Sequence, residues 1–396
     1  MSASGSRTSP AHVLIVGGGG TGGALAHDLA LRGLKVTLVE RGEFISGTTG
    51  RHHGLLHSGA RYAVSDQESA IECIEENTIL RRICPGTFEE NDGLFVAVTD
   101  EDMEYHDDFV KGCAECGIPT QEFTRDEALA LEPNLNPALK AAVRVPDATM
   151  DAMRMPLRFF ATAQKNGADL RNYMEVLEVV ANQRVVSGAL VRDQVTGKVG
   201  EIRADLVVNA TGPWSEKVAA MAGVDVPISP SPGVMLALRG RLCNMVVNRL
   251  HRSGDGDIIV PQRALSIVGT SSWTVEDPEE LDVPEDHVRR MYEEGVKLIP
   301  AVAQAEFRAA WSAARPLIGS RGAADTGREL SRTFKTYDHA ETDGVEGFLT
   351  ITGGKATTLR GMAELCADVI CRKLGIEAEC RTRETVLLPH TELFAA

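Results

Sequence analysis

No stretch of the 396 residues reaches the 18 or so consecutive apolar residues of a membrane span. The first ten, MSASGSRTSP, lack the apolar centre of a secretory leader. These two absences lead to the expectation of a cytoplasmic protein, with peripheral contact at the inner face of the cell membrane left open. A cysteine framework is missing as well. The eight cysteines are scattered, and the one close pair, Cys113 and Cys116, has no second pair to complete a metal site, so no metal is expected. Positive charge is in deficit: 41 Lys and Arg stand against 56 Asp and Glu, a net charge of -15. That balance repels phosphate backbones and argues against nucleic acid as a partner. It also means that an anionic substrate needs a local pocket of cations. No internal repeat or low-complexity linker interrupts the chain, and 43% hydrophobic with 24% charged residues excludes a disordered or fibrous protein. The length suggests two lobes, each with its own core.

What is present begins at residue 12. His12 to Val16 reads as a buried strand leading into Gly17-Gly18-Gly19-Gly20-Thr21-Gly22. Gly23 to Arg32 reads as an Ala- and Leu-rich helix stopped by Gly33, and Val36 to Val39 as a second strand ending in Glu40 and Arg41. Gly17, Gly19 and Gly22 have the G-x-G-x-x-G spacing. The first permits a tight turn, the second close approach of a pyrophosphate, and the third helix-strand packing. The N-H groups around Gly20 and Thr21 then face phosphate at the helix start, and Glu40 accepts from ribose hydroxyls. The unit therefore binds a dinucleotide. Two later glycine turns decide between a nicotinamide and a flavin, because a flavin is long and touches several strand ends. Ala210 leads into Thr211-Gly212-Pro213-Trp214, and a strand from Phe348 to Thr352 leads into Gly353-Gly354-Lys355 and a helix through Leu374. A helix start beside an ammonium suits the negative charge of a reduced flavin. FAD is the cofactor expected.

The period changes in between. Glu175 to Val180, Gly188 to Arg192 and Val199 to Ile202 read as a small antiparallel meander. Residues 88–146 and 226–314 have mixed elements of their own and read as an inserted lobe, so the division is 1–87, 147–225 and 315–396 for the cofactor lobe and the other two stretches for the insert. Thr124 with Glu127, and Ser65 with Glu68, read as capping boxes. Cys366 falls on an apolar stripe with Met362, Leu365, Val369 and Ile370 and is read as a small hydrophobe.

From Thr48-Thr49-Gly50-Arg51-His52-His53-Gly54-Leu55-Leu56-His57-Ser58-Gly59-Ala60-Arg61-Tyr62 the chain resembles the FAD-dependent glycerol-3-phosphate dehydrogenases, nearest to the large catalytic subunit of the anaerobic bacterial type. Further resemblances are Val145-Pro146-Asp147 through Asp151, Val208-Asn209-Ala210 with Gly212 and Trp214, Ser312 with Arg315-Pro316-Leu317, and Ile351 through Lys355. The resemblance implies a mixed α/β fold with a glutathione-reductase-like FAD lobe and an inserted substrate lobe, the DAO type of flavoprotein. It implies hydride transfer from C2 of a polyol phosphate to the flavin, with electrons passed to a quinone. Thr48, Thr49, Gly50, His53, Gly54, Leu55, Val176 and Thr357 join the cofactor contacts on the same ground. Arg61, Tyr62, Arg315 and Lys355 are implied to hold the substrate. Two departures stand out. The family's large chain continues into a cysteine-rich segment not found in these 396 residues, so a quinone or a separate electron-transfer protein is expected to reoxidise the flavin. Pro232-Gly233-Val234 stands where the family tends to have Lys-Gly-Ser, which keeps other substrates open: another polyol phosphate, a 2-hydroxy acid or an amine. A flavoprotein without turnover of its own is the third reading.

Alcohol oxidation needs a proton acceptor and a fixed C-H geometry. His57 fits the first need by type, and Arg315 is its rival as a donor stabilising alkoxide character. His52 and His53 are neighbours that contact flavin or cap backbone. Asp147 and Asp151 read as structural caps, and Trp214 and Trp311 as packing aromatics.

Overall fold

The computed structural model describes residues 10–279, 281–319 and 333–395. Strand β1 (His12–Val16) alternates its side chains between two faces: Val13 and Ile15 join one core, Leu14 and Val16 another. Both faces are covered, so all four are buried. On the first face, α1 (Gly20–Leu31) lays Ala24, Leu25 and Leu29 in the same core as helices Arg154–Lys165 and Leu359–Leu374. On the second lies the meander of Met174–Asn182, Val185–Asp193 and Val199–Arg203, through Val179, Val186 and Val191. Strand β2 (Lys35–Val39) runs parallel to β1, and Leu206–Asn209 and Phe348–Gly353 extend the parallel sheet on the other side. Near-continuous apolar strands are what a sheet buried on both faces requires. Its strands β1, Leu206–Asn209 and Phe348–Gly353 are adjacent and parallel, so their carboxyl ends, each followed by a glycine turn, open on one side.

An eight-stranded sheet is assembled from two distant stretches, Gly93–Val145 and Ile228–Ile318, joined where Val246–Arg249 runs parallel to Gly93–Ala97. Helix Glu285–Leu298 covers it with Met291 and Leu298 against Val234, Leu236 and Val268. Ile228–Arg239 pairs along its length with Phe307–Ile318, but only from Met235 onward with its other neighbour, Leu265–Gly269. Pro230 and Pro232 therefore sit where the ladder asks least of a missing N-H. We propose the lobe divisions read from the sequence as domain boundaries, with one adjustment: Phe307–Ile318 runs unbroken across 314, so Arg315 belongs to this strand.

Of the local expectations, the Thr124–Glu127 capping box forms. The Ser65–Glu68 box does not: Asp66 caps helix Gln67–Ile83 by accepting from Ser69 N, a carboxylate being favoured over a hydroxyl beside the positive helix end. Leu365 is 55% exposed while Met362, Cys366 and Ile370 are buried, so the apolar stripe is narrower than read. Among the described residues no helix is long and apolar enough to cross a membrane.

One buried group in α1 works against the fold. His27 is fully buried edge-on to Phe159, and neither ring nitrogen has a partner among the described residues. Burial pushes its pKa down to about 4. Between that value and about 6.5 the unfolded chain takes up a proton that the folded chain refuses, so stability falls as pH drops through this window. The cost is about 2 kcal/mol between pH 7 and pH 5. His27→Leu is expected to lower the loss of unfolding free energy between these two pH values by that amount, read by denaturant titration. Equal losses in variant and parent would sink the assignment.

Candidate active site

The carboxyl ends of the three parallel strands open into a cavity of about 870 Å3, within the range of cofactor sites. One end is lined by Gly17 to Thr21, Glu40, Arg41 and Val176. Gly22 lies behind the wall, where a Cβ would stand 2.0 Å from Gly17 O; glycine alone lets the first turn of α1 close on the loop. Gly19 is the opposite case. A Cβ there would meet nothing nearer than Thr49 Oγ1 at 3.5 Å, so its backbone is open to a ligand. Gly20 N donates to Thr49 Oγ1 at 3.0 Å. Glu40 accepts from Gly18 N at 2.7 Å and from Gly42 N at 2.9 Å, which leaves lone pairs of the carboxylate for hydroxyl donors. Arg41 pairs with Glu279 at 2.6 Å and lies over the Trp214 ring, whose Nε1 donates to the same carboxylate at 2.7 Å. Pro278, Glu279 and Leu281 thereby line the mouth beside this end.

The other end is built by the loop from 51 to 62, strand Phe307–Ile318 and the turn after Phe348–Gly353. Lys355 Nζ sits 5.1 Å from the Tyr62 ring centre. The Tyr62 ring lies 5.6 Å from that of His57, and His57 lies 6.0 Å from His53. Thr357 fixes the backbone by accepting from His57 N at 3.1 Å, and Asn77 holds His57 O at 3.1 Å. Burial lowers the His57 pKa to about 3, reinforced by the charges of Arg61 and Lys355. His52 is brought to about 4 by burial, and His53 well below its usual value by burial and the neighbouring His57. All three imidazoles are neutral at physiological pH. His52 Nδ1 accepts from Gly54 N and His53 Nδ1 from Leu55 N, so the proton of each neutral ring resides on Nε2. His52 Nε2 is buried without a partner among the described residues.

Arg315 is seated against the strand beside it. Its Nη1 donates to Ser231 O and Pro232 O at 3.2 and 3.3 Å, and its Nη2 to Ser271 O at 3.3 Å and to Thr270 Oγ1. A Cβ at Gly233 would stand 2.6 Å from Nη2, so this glycine makes room for the guanidinium. Arg61 is committed differently from expectation. Its Nη2 bonds both carboxylate oxygens of Asp257 at 2.7 and 2.8 Å.

The cavity wall includes most residues singled out from the sequence: His53, Leu55, His57, Arg61, Tyr62, Ala210, Gly212, Trp214, Arg315, Gly353, Gly354, Lys355 and Thr357 among them, with Thr48 and Thr49. Gly50 and Gly54 are not part of it. Gly50 N bonds Ile45 O at 2.9 Å, and Gly54 packs under Gln262; both shape the loop from behind. Asp151 accepts from Arg154 N at the start of helix Arg154–Lys165, in line with a cap, whereas Asp147 caps no helix and instead accepts from Ser58 N in the loop after His57. Asp257 and Glu279 were not foreseen. An open glycine backbone at Gly19, spare acceptors on Glu40 and an orphaned donor on His52, strung along one cavity, fit an FAD.

Residues 12–388 match the family described as FAD dependent oxidoreductase, DAO. The chain is 45% identical to subunit A1 of the anaerobic glycerol-3-phosphate dehydrogenase of Haloferax volcanii, over 96% of this chain and 67% of that protein. It is 42% identical to the corresponding component of the Escherichia coli anaerobic enzyme, over 95% of this chain and 69% of that one. The fold is also that of the Bacillus halodurans glycerol-3-phosphate dehydrogenase complexed with FAD, at 23% identity and a TM-score of 0.72, covering 96% of this chain and 68% of that one.

Proposed function

The chain belongs to the FAD dependent oxidoreductase family, and from that premise we propose that it oxidises sn-glycerol 3-phosphate at C2 to dihydroxyacetone phosphate. Its activity is that of an FAD-dependent glycerol-3-phosphate dehydrogenase. The observation that carries this reading is a single cavity with a dinucleotide turn at one end and, at the other, neutral His57 among Arg61, Tyr62, Arg315 and Lys355. The 42% and 45% identical relatives support the substrate.

Gly17 to Thr21 and Glu40 would hold the pyrophosphate and ribose of FAD; His52, Gly353 and Gly354 would face its ring system. When bound, FAD supplies the two-electron acceptor for the hydride leaving C2. His57 receives the hydroxyl proton, and Arg315 donates to the oxygen as it gains alkoxide character. Lys355, Tyr62 and Arg61 face the phosphate. The two charges of the ester oppose the field of Arg61 and Lys355 at His57, so substrate binding itself raises the basicity of the acceptor. A quinone or a separate electron-transfer protein takes the electrons onward; the relatives are by name components of multi-chain enzymes, which supports a partner chain. Contact with the inner face of the membrane would bring the protein to a quinone.

The test is anaerobic titration of the yellow holoprotein, followed by flavin absorbance. Glycerol 3-phosphate is expected to bleach the flavin rapidly, and an amino acid or 2-hydroxy acid is not. Bleaching by one of the latter alone would overturn the substrate.

A further inference from the structure

Arg61 and Asp257 lie 196 residues apart, on different sheets' connections, and meet at the cavity wall. Asp257 precedes strand Ile258–Gln262 and is 1% exposed. Its carboxylate is fully engaged: both oxygens accept from Arg61 Nη2, Oδ2 also accepts from Gly254 N at 2.7 Å, and His251 Nε2 lies 3.2 Å away. Gly254 O in turn accepts from Arg61 Nη2 at 3.3 Å. Asp255 extends this anchoring, bonding Arg290 of helix Glu285–Leu298 at 2.7 Å. Burial opposes charge on Asp257, but the field of Arg61 and its hydrogen bonds hold the carboxyl well below the usual range.

The hydrogen bonds of Arg61 all leave from one nitrogen. Nη1 and Nε have no partner among the described residues, and the side chain lines the cavity. Three of its five N-H donors therefore remain available. A long side chain left unanchored would have to surrender rotamer freedom on meeting a ligand. This one is already fixed at its tip by a buried carboxylate in a loop tied to the substrate-lobe helix.

We propose that Asp257 is a positioning residue for phosphate recognition, clamping Arg61 by Nη2 so that Nη1 and Nε meet the substrate's phosphate. Arg61 held in this way presents its fork of donors in one geometry, which suits a phosphate better than a freely rotating side chain. The proposal rests on the reading that the substrate carries a phosphate.

The experiment uses FAD-loaded parent, Asp257→Asn, Asp257→Ala, Arg61→Ala and the double variant Asp257→Ala/Arg61→Ala, with flavin content measured first. Each is assayed with glycerol 3-phosphate and with glycerol, and inorganic phosphate is titrated against the flavin spectrum. Asp257→Ala is expected to raise KM for glycerol 3-phosphate by about ten- to a hundredfold with kcat within about twofold. Phosphate binding should weaken in parallel, and glycerol kinetics should stay unchanged. In the Arg61→Ala background the same substitution should cost nothing further, because the contact it served is gone. The isosteric Asp257→Asn, which retains one acceptor, should fall between. Equal losses on both substrates, or a loss that persists in the Arg61→Ala background, would make Asp257 a scaffold residue and overturn the proposal. A parent that prefers glycerol 3-phosphate no more than glycerol would instead refute the phosphate reading, and the proposal with it.

Discussion

Replacing His57 with Asn is expected to lower the rate of flavin reduction by glycerol 3-phosphate by about 10^2- to 10^4-fold, with FAD content unchanged. Asn is close in size and keeps the backbone N-H that bonds Thr357, so loop and cavity survive. What is lost is a nitrogen that can take a full proton. The pH dependence gives an independent signature. A proton acceptor works only while unprotonated, so activity falls as pH drops through its pKa. Because burial and the nearby cations bring His57 to about 3, kcat/KM of the parent for glycerol, which carries no titrating phosphate, should run flat through the pH range where an ordinary histidine titrates, falling only well below it. With glycerol 3-phosphate the kcat profile should break at a higher pH, since the bound dianion offsets Arg61 and Lys355. Stopped-flow reduction under anaerobic conditions measures both. A variant that reduces its flavin within a few-fold of the parent rate would transfer the role to another group, with Arg315 as the remaining donor at the oxygen.

The value of the His57 pKa was not legible in the sequence, although the residue was. Local signals were the readable ones. β1, the glycine turn, α1 and β2 are contiguous, their periods differ sharply, and Glu40 stands at the strand end that the turn requires; His12–Val16 was read with its true bounds. The proposed interleaving of two lobes was read from residues 88–146 and 226–314, whose mixed strands and helices differ in character from the stretches around them. Contacts made across the chain were not legible. Nothing near Arg61 announces Asp257, which sits in the run Ser253-Gly254-Asp255-Gly256-Asp257 that reads as a solvated turn. Nor does anything near Arg41 announce its partner Glu279, a residue of an acidic loop with no motif. The cap of helix Gln67–Ile83 slipped by one residue because Ser65 and Asp66 are both able caps and only the folded geometry chooses between them.

Pro232-Gly233-Val234 is the clearest case of a residue whose meaning changes once neighbours are known. From the sequence it marked a lost charge and hydroxyl; in the fold its glycine faces the guanidinium of Arg315 across the paired strands. Gly233 pairs with Ala313, two residues before Arg315, and a methyl at 233 would stand 2.6 Å from Arg315 Nη2, 2.6 Å from Ser271 O and 2.9 Å from Nη1. Real side chains do not tolerate such approaches. The backbone at Ser271 is held by its strand neighbours, since Val234 N bonds Ser271 Oγ at 3.0 Å and Trp273 N bonds Pro232 O at 3.3 Å. The contact with Ser271 O can be relieved only by a shift of this backbone, and the guanidinium, bonded to Ser231 O, Pro232 O and Ser271 O, is displaced with it. Displacing a group by about 1 Å from a reacting centre costs on the order of 10^2-fold. Gly233→Ala is accordingly expected to lower kcat/KM for glycerol 3-phosphate by about 10^2-fold, with a fall in kcat as well as a rise in KM, because Arg315 serves the oxygen at C2 and not only the phosphate. Glycerol, which shares that oxygen, should lose activity too, in contrast to its indifference to Asp257→Ala. Gly200→Ala, where nothing lies within 4 Å of the added methyl, is the control for a harmless glycine substitution. Steady-state kinetics on both substrates, with thermal unfolding to confirm an intact fold, separate the outcomes. A folded, FAD-loaded Gly233→Ala with parental kcat/KM would show that Arg315 keeps its place by another route or takes no part at C2.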